Sequence, residues 1–292
     1  MASQVVLITG CSRGIGLETA LYLAKDPQRR FKVYATMRNM ATNQEDLKTQ
    51  AGKAFDDTLF IRELDVTKQD TIDKTVKEIV DKEGKIDVLV NNAAFQNDTW
   101  WQTAPMETFY DIMEVNYFGC VRMSRAVVPY MKEKRSGKIL QISSLLGIKA
   151  PPVLAQNTSS KFALEGFSES IAPPLRKFNV WVSIIELGFV ATALVQQFAG
   201  TDANSFWKAI ASTVPDADER DIVVKMLTSD PDIVAGLEMQ QPRDIAECVQ
   251  EVILSTKPDF RYQSSKTINE IIRVQCLKDP TGNSIMDTWM KQ

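Results

Sequence analysis

Histidine is absent from all 292 residues. Its absence excludes a Ser-His-Asp or Cys-His catalytic arrangement and any metal site built on imidazole, so no metal is expected. Cysteine is scarce as well. Cys11, Cys120, Cys248 and Cys276 lie far apart and include no CxxC pair, which reads as reduced thiols and not as a disulfide framework or a zinc site. Charge of one sign is also lacking: 34 Lys and Arg against 37 Asp and Glu give a net charge of −3. Such a balance offers no long-range attraction to a phosphate backbone or an anionic lipid surface. No apolar run approaches the ~20 residues of a membrane span, and no basic-then-apolar leader precedes Val5-Val6-Leu7-Ile8. The expectation is a cytoplasmic protein with no transmembrane segment and no nucleic-acid partner.

Hydrophobic residues at 44% and charged residues at 24% are ordinary for a chain with a full core. Short β-branched runs alternate with longer helical stretches. Strands are read at Val5 to Thr9, Lys32 to Met37, Leu59 to Asp65, Ile86 to Asn91, Lys138 to Ser143 and Val180 to Glu186. Helices are read at Ile15 to Lys25, Asn43 to Ala51, Thr71 to Glu83, around Thr108 to Met131, around Thr158 and near Pro242, with a short strand at Phe260 to Gln263. This alternation predicts an α/β fold with a doubly wound parallel sheet, helices on both faces and the ligand site at the carboxyl ends of the strands. One domain over 1–265 is expected, with a tail at 266–292. A stretch at about 193–240 containing Phe198, Phe206, Trp207, Met226 and Met239 reads equally well as a substrate cover or as an ordinary helical insertion packed on the sheet.

The first strand runs into Thr9-Gly10-Cys11-Ser12-Arg13-Gly14-Ile15-Gly16. A glycine pattern alone is weak, but one that leaves a strand and opens a helix is the context of a Rossmann-like dinucleotide site. Gly10 permits the tight turn, Gly14 lets backbone approach a pyrophosphate, and Gly16 lets helix and strand pack closely, while the helix start presents amides to the anion. The second strand ends Ala35-Thr36-Met37-Arg38, without the carboxylate that usually binds the ribose hydroxyls of NAD. Arg38 and Arg13 together can grip a 2′-phosphate, so the expected cofactor is NADP(H).

With these features the chain resembles the short-chain dehydrogenase/reductase family over nearly its whole length, through Thr9 to Gly16, Leu64-Asp65-Val66, Asn91-Asn92-Ala93-Ala94, Asn116, Ile142-Ser143-Ser144 and Lys161. The phrases Val33 to Arg38 and Ser160 to Gly166 are similar to the steroid- and retinoid-handling branch that uses NADP(H). The resemblance implies a small hydrophobic substrate and allows a homodimer. It also implies roles for single residues: Asp65 and Val66 against the adenine, Asn91 and Ala93 along the cofactor, Val190 and Thr192 at the nicotinamide carboxamide. Asn116 would hold a water of a proton relay, Ser144 would bind the substrate carbonyl, and Lys161 would contact the nicotinamide ribose.

Four residues before Lys161, where the family carries a catalytic tyrosine, this chain has Asn157, and its spacing from Ser144 fits the family. A carboxamide orients a carbonyl but does not titrate usefully near neutral pH. Ala94 and Leu187 stand where the family has glycine and proline, and Pro173-Pro174 should interrupt the helix carrying Lys161. Three functions stay open: an NADP(H)-linked oxidoreductase interconverting alcohol and carbonyl with altered proton transfer, a catalytically silent NADP(H)- or lipid-binding protein, and, less favoured, an isomerase or lyase. Lysine-ordered water, Ser144 and Ser159 are the candidate substitute proton donors.

Overall fold

The computed structural model describes residues 3–97, 99–192, 208–209, 211–229 and 239–265. Seven strands form one sheet: β1 Gln4–Ile8, β2 Phe31–Met37, β3 Leu59–Glu63, β4 Val88–Asn91, β5 Gly137–Ile142, β6 Val180–Glu186 and β7 Arg261–Gln263. Their order is β3-β2-β1-β4-β5-β6-β7, and every pairing is parallel. The helices are α1 Gly14–Ala24, α2 Met40–Ala51, α3 Gln69–Glu83, α4 Met106–Met113, α5 Cys120–Lys134, α6 Ala155–Arg176, α7 Ala217–Ser229 and α8 Pro242–Leu254.

Successive strand residues point to opposite faces, and because both faces are apolar, two cores result. Val6, Ile8, Val33, Ala35, Val88 and Val90 pack on one side with Ala20 and Leu23 of α1 and Ile245 and Val249 of α8. Val5, Leu7, Tyr34, Leu89 and Ile139 pack on the other with Ile72 and Val76 of α3 and Met123 and Val127 of α5. Helices on both faces and a wholly parallel sheet agree with the sequence reading. Strand order reverses at β1, which pairs with β2 on one side and β4 on the other, so the carboxyl ends of β1 and β4 open the crevice where such sheets bind ligands.

Two helical expectations are corrected. The stretch read as one helix at Thr108 to Met131 is α4 and α5 joined by a π turn at Glu114–Gly119. A single wide turn adds one residue to the backbone ladder without disturbing the apolar spacing that suggested continuity. Pro173 and Pro174 do not interrupt α6, which runs on to Arg176. They fall in its last turn, and Glu169 and Ser170, whose carbonyls lose their amide partners, lie on the exposed surface within reach of water.

A third cluster sits apart from the sheet faces: Trp100, Val153, Leu154, Ala211, Val214, Val223 and Leu227, with Leu146, Phe189 and Met226 packed against it. It joins α7 to the loops that follow β4 and β5. Of the aromatic and Met residues noted in this stretch, Phe198, Phe206 and Trp207 lie outside the described residues, as do Cys276 and the tail at 266–292.

Candidate active site

The loops leaving β1 and β4 are stitched to each other before any ligand is considered. Thr9 Oγ1 accepts the amides of Asn92 and Ala93 at 3.1 and 3.0 Å. Asn92 Nδ2 donates to the carbonyls of Thr9 and Gly10 at 2.8 and 3.1 Å. Gly10 has φ +73°, and a Cβ on it would lie 2.7 Å from Ala93 Cα. A Cβ on Gly16 would lie 2.4 Å from both Asn92 Nδ2 and the Gly10 carbonyl oxygen, so no larger residue fits there without displacing backbone. Asn92 thus occupies the space that Gly16 leaves, a role the sequence reading missed although the residue stood in the motif.

The helix that follows is prepared for an anion. Arg13 is its N-cap residue and makes no side-chain cap, and the first turn of α1 holds no acidic residue. Its free amides and positive end therefore face an open cleft of about 390 Å³. Gly10, Ser12, Arg13, Gly14, Ile15, Arg38, Asp65, Val66, Ala93 and Thr192, all named from the sequence, line this cleft. Met37, Asn39, Leu64, Asn92, Ala94, Phe95 and Val115 line it too and were not singled out for it. Arg13 and Arg38 are exposed, and neither pairs with a carboxylate among the described residues. Ala94 has no left-handed backbone, since the positive-φ residues other than glycine are Arg29, Asp56, Arg135, Val153 and Asn179, so the geometry does not demand glycine there.

Several candidate residues sit behind the cleft instead of on its wall. Asn91 is buried, and its Nδ2 donates to Gln141 Oε1 at 2.9 Å and to Ser124 Oγ at 3.4 Å, so its side chain is held by β5 and α5. Thr9 and Gly16 serve the turn from within. Val190 is buried and bridges to Gln240, and Thr192 beside it reaches the cleft. Cys11, inside the glycine turn, is fully buried and its thiol is pushed up to about 12 by that burial, so it stays protonated and unreactive.

Deeper in, the π turn delivers Asn116 to the start of α6. Its carboxamide accepts the Phe95 amide at 2.8 Å and donates to the Phe95 carbonyl at 3.0 Å, to Ser160 Oγ at 3.1 Å and to Asn157 Oδ1 at 3.4 Å. Ser160 Oγ in turn donates to the Asn157 carbonyl at 2.7 Å. One turn along, Lys161 donates to the Ile142 carbonyl at 2.9 Å. Burial lowers the Lys161 pKa from its ordinary value, and Cys120 and Glu165 oppose that shift. Ser144 lies across from this helix at the exit of β5, where its Oγ accepts the Leu146 amide at 3.2 Å and reaches the Leu187 carbonyl at 3.4 Å. Lys161 of α6 is thus tied to the end of β5 two residues before Ser144, and Asn116 ties the π turn to Asn157 and Ser160 of the same helix. Ser159 is the exception among the substitute donors: exposed, it donates to the Ala155 carbonyl of its own helix at 2.7 Å. Phe95, Ser160, Ser143 and Glu165 were also missed. Only Glu165 carried a signal, the four-residue spacing from Lys161 that brings opposite charges together on a helix.

A dinucleotide crevice at the strand-order reversal, joined to an Asn, Ser and Lys set at the start of α6, defines a recognisable class. A family model described as short chain dehydrogenase matches residues 4–202, and the chain belongs to that family. Retinol dehydrogenase 8 of Homo sapiens is 35% identical over 273 residues, covering 90% of this chain and 82% of that protein. The 17-beta-hydroxysteroid dehydrogenase type 1 of Homo sapiens is 34% identical over 300 residues, covering 97% and 84%. Among solved structures, ElxO with NADP bound shares the fold, with a TM-score of 0.72 at 20% identity over 90% of this chain and 98% of that one. Among the described residues no helix is long and apolar enough to cross a membrane.

Proposed function

We propose that this chain is an NADP(H)-dependent oxidoreductase that interconverts an alcohol and a carbonyl on a hydrophobic substrate, steroid or retinoid in kind, with proton transfer altered by Asn157. The observation that carries the cofactor assignment is the pair of guanidiniums Arg13 and Arg38, exposed and without a carboxylate partner among the described residues, on the rim of a cleft whose helix start holds no acid. Two guanidiniums lining one cleft match a 2′-phosphate. The glycine cradle fits as well, because Gly10 and Gly16 leave space that a Cβ would close. The relatives that act on retinol and hydroxysteroids support the substrate class, and the stretch at 193–240 is proposed to cover it.

NADP(H), when bound, supplies or takes up the hydride. The amides of α1 then hold its pyrophosphate, with Thr9, Gly10, Ser12, Gly14, Ile15 and Gly16 shaping the turn. Asp65 and Val66 flank the adenine, Ala93 lines the middle, Val190 and Thr192 meet the nicotinamide carboxamide, and Lys161 meets the ribose. Ser144 donates to the substrate carbonyl oxygen, while Asn157, fixed by Asn116, orients that oxygen. Neither Asn157 nor a serine hydroxyl releases a proton in the neutral range, so a water ordered by Lys161 would supply it, directly or through Ser144 with that water replacing the proton Ser144 passes on.

Asn157 stands four residues before Lys161 and is a carboxamide, which supplies no titrating proton near neutral pH, and that favours a second reading: a protein that binds the dinucleotide without using it. NADPH titration by fluorescence, followed by turnover of an oxosteroid and of retinal in the native chain and in Asn157→Tyr, separates the two. Turnover by the native chain supports the enzyme. Binding with turnover only in Asn157→Tyr supports the silent binder.

A further inference from the structure

We infer that Arg261, on the edge strand β7 and outside every motif discussed above, is the positioning residue of this site. It clamps the Ser144 loop, the Lys161 helix and the turn at 187–192 into one register. The inference rests on the reading of the site as an NADP(H) site. The Arg261 guanidinium uses Nη1 to reach both Glu165 and Glu186, and Nη2 to reach Glu169 Oε1 at 2.6 Å. Glu165 is 5% exposed and Glu186 is fully buried, so two carboxylates removed from water converge on one half-exposed cation.

Each carboxylate leads to the site. Glu165 is one helical turn beyond Lys161, on the same face of α6. Its Oε1 accepts Ser143 Oγ at 2.7 Å, and Ser143 is the residue before Ser144. Lys161 holds the carbonyl of Ile142, the residue before that. Helix α6 therefore grips the exit of β5 at two consecutive residues. A Cβ on Gly147 would lie 2.1 Å from Glu165 Oε1, so the loop has been shaped around this carboxylate.

Glu186 closes β6 and leads into Leu187 and Gly188. Its Oε2 accepts Gln263 Nε2 at 2.7 Å, and its carbonyl accepts the Ser264 amide at 3.1 Å. Ser264 Oγ accepts the Gly188 amide at 3.4 Å, and the Leu187 carbonyl takes the Leu145 amide at 2.8 Å. Leu187 has no ring to fix its φ, which a proline would have done. In this chain the strand that follows α8 supplies the restraint from outside the turn. Apolar replacements of a buried ion set often match its stability, whereas a multiply forked guanidinium fixes direction and register. Directional restraint is what hydride transfer requires, since misplacement by ~1 Å costs roughly 100-fold in rate.

The test compares two nucleotides. NADPH reports both halves of the cleft and adds nicotinamide emission, while adenosine 2′,5′-bisphosphate reports the adenine and phosphate half alone. Arg261→Gln should weaken NADPH roughly tenfold and lose its emission enhancement, leaving the bisphosphate within about twofold, because only the nicotinamide half is touched by the clamp. Arg261→Lys should not restore the emission, because a point charge lacks the fork. Since Arg261→Gln leaves two buried carboxylates without their cation, Glu186→Gln is the second variant: it keeps Arg261 on Glu165 and Glu169 and should show the same selective loss at roughly threefold. Equal losses for both nucleotides, or none, overturn the clamp while the site reading stands. A native chain that binds neither nucleotide overturns the site reading, and the clamp falls with it.

Discussion

The two halves of the crevice are built from different materials. The dinucleotide half is backbone: glycines with no Cβ to spare, helix amides and carbonyls tied down by Asn92. The half proposed for the chemistry is side chains, Asn116, Ser144, Asn157 and Lys161, each held by hydrogen bonds. A backbone cradle cannot be altered by one substitution without steric conflict, whereas a side-chain constellation can lose its acid and keep its shape. On the proposed reading Asn157 is such a case, since it is buried and bonded to Asn116.

The largest expected effect breaks the backbone half. Gly16→Val places carbon atoms against Asn92 and the Gly10 carbonyl, and overpacking of this kind costs ~1–3 kcal/mol or more. NADPH binding should disappear at concentrations that saturate the native chain, and isothermal titration reads it directly. Next comes Asn157→Tyr, which should raise turnover between roughly 100- and 10,000-fold, the usual range for a general acid, with NADPH affinity unchanged. A tyrosine that changed affinity and left turnover alone would mean that the two halves are not separable as drawn.

Replacing both Arg13 and Arg38 by Gln should weaken NADPH by roughly 10- to 100-fold and NADH hardly at all, in keeping with ~1.5–3 kcal/mol for hydrogen bonds to charged groups. Equal losses would remove the 2′-phosphate assignment. The smallest effect is on stability. Burial holds the Lys161 pKa below its unfolded value, so its contribution is present above the unfolded pKa and is lost as pH falls through the folded one. The melting temperature of native protein relative to Lys161→Met should therefore rise as pH rises toward the ordinary lysine range, which thermal denaturation over a pH series reads. A flat difference would show that Lys161 titrates alike in both states.

How much of this the sequence disclosed follows the same division. Strand β6 lies at Val180–Glu186, as read from its β-branched run, and the glycine turn, its helix and the parallel order were equally legible because each rests on local spacing. The π turn was not, since α4 and α5 keep one apolar stripe across it. The side-chain partners of Asn91, Gln141 and Ser124, were not legible either, since alternation along a four-residue strand that is buried throughout says nothing of who meets whom. Arg261 is the clearest case: its partners Glu165, Glu169 and Glu186 are between 75 and 96 residues away, a distance no local pattern spans.

The cluster of Trp100, Val153, Leu154, Val223 and Leu227 has a kinetic meaning of its own. It is a small apolar nucleus that shares no face with the sheet, so α7 can separate from the loops beneath it while the two larger cores stay closed. Its amides should exchange with deuterium through a sub-global opening, at a free energy well below that of the whole molecule. Exchange of these amides only together with those of the sheet would show instead that the cluster opens with the two larger cores.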